Sequence, residues 1–377
     1  MIVLHVLSLS AIGGVQNSFI SYINHANLNS QFEHELCLTR KTGKDFLKHL
    51  PGRYYYLRSI KGLIRLIYQI ISKKYIVHFY NSLGSKPIYG LLRFLRPSNI
   101  IFHERGSAWN SNSSNLKYFV KNSKIANKII SNSNATRNFL NLKFKIPLDK
   151  ITVIYNGIEE NKINIDYEKR FSNKVSIGYL GRFETQKGIP SFIQAAKYLP
   201  QYNFYIGGYG SWEEYIQNQV ARVKNVFLIG KVLNPSNFLS KVDILVVPSI
   251  REPFGNVIVE AGLCHKAVIA SNIDGIPEII NSEEVGVLID PKEEININFL
   301  SKNSLKYPEK VYYPREKKLG KPLQINPKDL ALKIKELSEN KFLRKKIGEN
   351  LNKRVSNLFS LSNYFKNLEN FYFEIMN

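Results

Sequence analysis

The sequence predicts an α/β protein made of two doubly wound domains, each on a parallel sheet, facing a cleft. Three observations predict it. Short apolar runs alternate with helical patterns along the whole length, the order that builds parallel sheets covered by helices. These runs fall in two sets separated by a polar stretch without periodicity, Glu159–Lys174. A length of 377 residues also exceeds what one hydrophobic core normally organises.

In chain order the first set is Ile2–Leu7, His34–Leu38, Tyr75–Tyr80, Asn99–His103, Lys128–Ser131 and Ile151–Tyr155. The second is Val175–Leu180, Phe204–Ile206, Val226–Ile229, Ile244–Val247, Ala267–Ala270 and Val287–Ile289. Runs such as Ile244–Val247 are apolar at every position, the mark of a strand buried on both faces. The first domain is expected over residues 1–160 and the second over 174–358. A stretch rich in Lys, Asn, Pro and Tyr, about 293–326, has no period and is too long for an ordinary connection; it is expected to be an inserted loop. The final segment, Leu361–Ile375, spaces Leu361, Tyr364, Phe365, Leu368, Phe371 and Tyr372 along one helical stripe that needs a surface to bury it.

Composition narrows the function. Two cysteines, Cys37 and Cys264, lie far apart in apolar surroundings, which disfavours a disulfide scaffold or a zinc site and suits a reducing cytoplasm. The N-terminus lacks the basic segment of a signal peptide, and no apolar run reaches membrane-spanning length. The net charge of +23 divides unevenly: +16 over residues 1–165, −2 over 166–300 and +9 over 301–377. A general nucleic-acid binder would be basic throughout, so the charge points to a partner of the first domain and not to nucleic acid. Within that domain, Arg58–Lys74 places Ile60, Leu63, Ile64, Ile67, Ile70 and Ile71 on one helical face and Arg58, Lys61 and Arg65 on the other. It reads either as a domain helix packed on the sheet or as an interfacial helix on an anionic membrane.

The chemistry concentrates in loops after strands. Gly13-Gly14 follows the first strand, where side-chain-free backbone can approach a phosphate. The first strand of the second set leads into GRFETQKG, which offers Arg182 and Lys187 beside glycine turns as a clamp for a diphosphate; taken alone, they read more readily as solvated charge. The run ending at Val247 leads into REPFGNVIVEAG, where Glu252 and Glu260 flank a Pro-Phe-Gly turn and a helix start. A helix N-terminus suits a phosphate, and carboxylates accept hydrogen bonds from sugar hydroxyls. Two more glycine loops, YIGGYG at Tyr205–Gly210 and ASNIDGIPEII at Ala270–Ile280, complete the set.

This combination resembles the family-4 retaining glycosyltransferases of the GT-B fold, most strongly from Tyr155 to Glu278. The resemblance implies two Rossmann-like domains, a nucleotide-sugar donor (commonly a UDP-sugar) held by the second, and a last helix, about 361–377, crossing back to complete the first. It implies that Arg182 and Lys187 contact the donor diphosphate, Glu260 the ribose and Glu252 the transferred sugar. Backbone at Phe254, Gly255 and Asn256 would meet sugar and phosphate, Gly13 and Gly14 would approach the phosphates, and His103, in IIFHERGS, would lie near the sugar. The chain departs from the family at His265-Lys266-Ala267, where Gly-x-Pro is usual, and in the insertion. No Asp-x-Asp occurs among the seven aspartates, so no metal or other cofactor is expected, and charge on the leaving group falls to Arg182, Lys187 and the Gly255 turn. The expected activity is transfer of a hexosyl or N-acetylhexosaminyl unit with retention, by front-side attack. The acceptor is expected to be a glycan or lipid-linked acceptor in bacterial surface polysaccharide synthesis, met at the inner face of the cytoplasmic membrane. A nucleotide-sugar epimerase and a basic polyanion binder are the alternatives.

Overall fold

The computed structural model describes residues 1–9, 14–43, 47–48, 50, 53–95, 97–110, 115–160, 171–295 and 307–376. The chain divides into two compact units, Met1–Glu159 with Ser360–Asn377, and Glu160–Phe359.

Unit 1 is built on seven strands: β1 (Ile2–Leu7), β2 (Glu33–Leu38), β3 (Arg53–Tyr56), β4 (Tyr75–Tyr80), β5 (Ile100–Glu104), β6 (Lys128–Ser131) and β7 (Ile151–Val153). They pair in the order β3-β2-β1-β4-β5-β6-β7, all parallel. β3 escapes a search for apolar runs because Arg-Tyr-Tyr-Tyr forms a half-exposed edge strand that pairs with β2 alone. Helix Gly14–Asn29 and the last helix, Leu361–Met376, cover one face. The stripe of that last helix is buried in unit 1, where Tyr364, Leu368, Phe371 and Tyr372 share a core with Phe19, Tyr22 and Ile76. Its Glu369 accepts hydrogen bonds from Ser30 Oγ and the Gln31 amide.

Unit 2 repeats the plan with six strands: β8 (Ser176–Leu180), β9 (Asn203–Gly207), β10 (Val226–Gly230), β11 (Ile244–Val247), β12 (Ala267–Ser271) and β13 (Val287–Ile289). Their order is β10-β9-β8-β11-β12-β13, again parallel throughout. The turn at His265 adopts a left-handed backbone, φ +54°, in place of the usual glycine. Both cysteines are buried and free.

The described part of the expected insertion is an ordered element and not a patternless loop. Glu293 and Gln324 exchange backbone hydrogen bonds, and β14 (Val311–Tyr313) pairs antiparallel with β15 (Lys318–Gly320). Val311 and Tyr312 are buried, which explains why alternation failed as a signal: the strands are three residues long and lie against the unit. Residues 296–306 and Gly13 lie outside the described residues.

In each sheet the strand order reverses once, between β1 and β4 in unit 1 and between β8 and β11 in unit 2. Neighbouring strands there send their following loops to opposite sides, opening a crevice at their carboxyl ends. Among the described residues, no helix is long and apolar enough to cross a membrane.

Candidate active site

At the reversal point of unit 2, the loop after β8 (181–188) meets the loop after β11 (248–255). The amides of Ile250 and Arg251 both donate to the Gln186 carbonyl, at 2.8 and 3.2 Å. Gly188 permits the approach: it sits at φ +64°, and a β-carbon there would stand 1.9 Å from the Pro248 oxygen. The contact brings the charged groups of the two motifs together. Lys187 Nζ lies 2.6 Å from Glu252 Oε2, with both side chains largely buried. Arg182 is mostly exposed and rests on Glu184 at 2.6 Å, so its guanidinium can turn to a ligand at little cost.

The second loop runs into helix Asn256–Leu263, with Gly255 at its cap. Phe254 anchors the turn by packing edge-on against Phe359, ring centroids 5.4 Å apart. Glu260 stands in the second turn of this helix, partly exposed; burial pushes its carboxyl up to about 7. The crevice edge thus carries two cations, the start of a helix and the Glu252 carboxylate, with Glu260 one turn further along that helix. Cations and helix amides suit a diphosphate, and the carboxylates suit hydroxyl groups on either side of it. Among the described residues, no cluster of three or more His, Cys, Asp or Glu side chains is arranged to hold a metal ion.

The remaining candidates belong to unit 1. Gly14 opens the helix after β1. His103 lies on β5 with 1% of its surface exposed, stacked on His78 at 5.3 Å between ring centroids. Both its ring nitrogens are buried without a hydrogen-bond partner. Burial, helped by Arg105 and His5, holds it far below the ordinary imidazole range, so the ring is neutral at pH 7. Glu104 accepts from Ser107 Oγ and the amides of Gly106 and Ala108, while Arg105 donates to Asn156 Oδ1 and Ser18 Oγ. A cavity of about 330 Å³ opens where β1, β2 and β4 end; Gln16, Thr39, Arg40, Asn81 and Ser82 supply its polar lining.

Two features escaped the sequence. His5, His34, His78 and His103 stand on four adjacent strands as a continuous row, buried except at the partly exposed His34, with His5 and His34 linked at 2.9 Å and His78 bonded to Tyr372 Oη at 2.8 Å. Strand pairing creates this row, and no local motif announces it. Asp274, read only as part of a glycine loop, proves to be fully buried directly behind Glu252. Its signal was the acidic residue inside an otherwise glycine-and-apolar turn.

Comparison with known proteins gives a consistent placement. Residues 27–162 match the family described as Glycosyltransferase Family 4, and residues 161–317 match the family described as glycosyl transferases group 1. The chain is 30% identical over 249 residues to an uncharacterized glycosyltransferase of Methanocaldococcus jannaschii, a match over 65% of this chain and 58% of that protein. It is 28% identical over 196 residues to the capsular polysaccharide biosynthesis glycosyltransferase CapM of Staphylococcus aureus, over 49% of this chain and 42% of that one. The chain therefore spans about half the length of the curated relatives it matches. In three dimensions it resembles HepE of Anabaena, solved with UDP and glucose, with a TM-score of 0.76 and 19% identity over 98% of both chains. That likeness establishes the GT-B fold.

Proposed function

The chain carries a Family 4 glycosyltransferase domain followed by a group 1 glycosyl transferase domain, and from that premise we propose that it is a retaining glycosyltransferase acting on a nucleotide-sugar donor. The observation that carries the reading is the Lys187–Glu252 pair, held at the strand-order reversal of unit 2 by loops that fit together only through Gly188. Arg182, Lys187 and the first amides of helix Asn256–Leu263 take the diphosphate. Glu260 accepts the ribose hydroxyls, and Glu252, paired with Lys187, meets the transferred hexosyl or N-acetylhexosaminyl group. UDP is the proposed nucleotide, in line with the UDP bound by HepE.

Charge builds on the diphosphate as the anomeric carbon–oxygen bond breaks, and preplaced cations and amides stabilise that charge without reorganising. No metal enters this proposal. With no side chain assigned as a nucleophile, the acceptor hydroxyl attacks from the face the diphosphate leaves, and the departing phosphate oxygen takes its proton. The new glycosidic bond keeps the donor's configuration. His103, neutral and buried in unit 1, is proposed to stand near the sugar as the resemblance implies.

The acceptor is a glycan or lipid-linked saccharide of bacterial surface polysaccharide synthesis, a reading supported by the match to CapM. Its proposed seat is the unit 1 cavity with its ring of amide and hydroxyl groups and Arg40. Helix Ile60–Ile71 supports a membrane-bound acceptor. It buries Leu66 and Ile70 but leaves Ile60 80% and Ile64 63% exposed, with Leu63 and Ile71 beside them. The stripe expected to face either sheet or lipid divides, Ile70 packing inward while Ile60, Leu63, Ile64 and Ile71 face outward, and the basic residues around the outward part complement an anionic bilayer.

The decisive experiment screens nucleotide sugars for donor turnover and then fixes the anomeric configuration of the product by NMR. Retention of the donor's configuration is expected, and an inverted product sinks the front-side mechanism.

A further inference from the structure

We propose that the β14–β15 hairpin positions Glu252 through Asp274, so that the insertion is a working part of the donor site. This rests on the reading of Glu252 as the sugar contact. Asp274 accepts the Glu252 amide on Oδ2 at 2.8 Å and the Tyr312 amide, on β14, on Oδ1 at 2.7 Å. Its own amide returns a bond to the Tyr312 carbonyl at 2.9 Å. The next residue closes the link from the other side, with the Gly275 amide donating to the Glu252 carbonyl at 3.1 Å. Glu252 is thus gripped at both its N–H and its C=O by one two-residue segment, and that segment is fastened to the hairpin by two more hydrogen bonds.

Three features mark this as a built arrangement. Asp274 has no exposed surface, and a buried carboxylate is costly unless both oxygens are satisfied. It holds φ at +48°, a region where a non-glycine residue is uncommon. Gly275 is required beside it, because a β-carbon there would stand 2.3 Å from the Pro253 oxygen. The hairpin is in turn tied to the sheet, where Arg315 Nη1 meets Asp290 Oδ2 at 2.7 Å just beyond β13. The path therefore runs from β13 through the hairpin and Asp274 to the backbone of Glu252, while Lys187 fixes the carboxylate at the other end. Asp274 is a positioning residue, since it reaches the sugar only through Glu252.

Asp274→Gly is the sharpest test. Glycine accepts the same backbone angle without strain, so the substitution deletes the two acceptors together with the carboxylate charge that offsets the buried Arg251. A displacement of about 1 Å at a reacting centre costs on the order of 10²-fold in rate, so kcat should fall by roughly that factor. KM for the donor should change less than about threefold, since the diphosphate and ribose contacts are untouched. Asp274→Asn, which keeps one acceptor and tolerates the backbone angle, should recover part of the loss. Hydrogen exchange on the full chain gives a readout independent of activity: the amides of Glu252, Asp274, Gly275 and residues 311–313 should exchange faster in Asp274→Gly, with the rest of unit 2 unchanged. A wild-type kcat, unaltered exchange at these amides, or faster exchange spread over the whole unit would each overturn the proposal. If the wild-type chain turns over no nucleotide sugar, the glycosyltransferase reading fails, and the exchange experiment still decides the link.

Discussion

Glu260 shows how burial sets the protonation state of a single candidate residue. Burial of its carboxyl group pushes it up to about 7, although the side chain keeps some exposed surface. The ionised form is the stronger acceptor on both oxygens, so donor affinity should be full well above pH 7 and fall as pH drops through about 7. Binding measured by calorimetry between pH 5.5 and 8.5 should show this slope, and Glu260→Gln should bind weakly with the slope gone. A Gln variant that keeps wild-type affinity would remove the ribose assignment. Glu252, Glu260, Arg182 and Lys187 stand out in the sequence because strand and glycine patterns mark their loops, while the roles proposed for them come from the family resemblance. The 2.6 Å union of Lys187 with Glu252 was not, since 65 residues separate them in the chain.

At the scale of elements, helix Ile60–Ile71 shows the limit of periodicity. A stripe at helical spacing states that one face is apolar and leaves open what covers it. Here the inner face is held by Leu66 and Ile70 and by Arg65 and Gln69, which both donate to the buried Glu35, at 2.9 and 2.6 Å, while Ile60, Ile64 and Ile71 turn outward. Phe94, on the following helix, adds a ring 86% exposed. Replacing Ile60 and Ile64 by Asp should abolish binding to vesicles containing anionic lipid, measured by co-sedimentation at low salt. Thermal stability should hold, because exposed positions of this kind change it by only about 0.5 kcal/mol. Retained vesicle binding in that variant would rule this helix out as the contact. The hairpin teaches the converse: strands of three residues carry too few positions to alternate, and their order comes from the unit they pack on.

Across the whole molecule, the two units carry buried titrating groups of opposite sense. In unit 1, burial holds His5, His78 and His103 well below the ordinary value of 6.5 and His34 at about 4. The unfolded chain then binds more protons, so unit 1 loses stability as pH falls below 6.5, by up to about 1.4 kcal/mol per pH unit for each histidine. Glu104 and Glu369, raised mainly by burial, offset a part of this. In unit 2, burial raises Asp274 and Glu260 to about 7, so the folded unit binds the extra protons and gains stability as pH falls from 7 toward 4.5. Scanning calorimetry from pH 7.5 to 5.5 should therefore show one transition moving down and another moving up. Parallel movement of both would contradict the buried, neutral state of the histidine row.

The sequence by itself determined the two sets of strands, the glycine loops between strand and helix, and the charged residues those loops present. Each is encoded locally, in an apolar run followed by a turn, and a parallel sheet needs nothing more to place a loop at its carboxyl edge. Tertiary structure alone decided what pairing and packing bring from afar. It closed Lys187 on Glu252, lined four histidines across four strands, turned Ile60 and Ile64 of one helix to solvent, and set Asp274 between the inserted hairpin and the Glu252 backbone. In every such case the partners lie many residues apart, and the physical cause is a burial or a hydrogen bond that exists only once the sheet has formed.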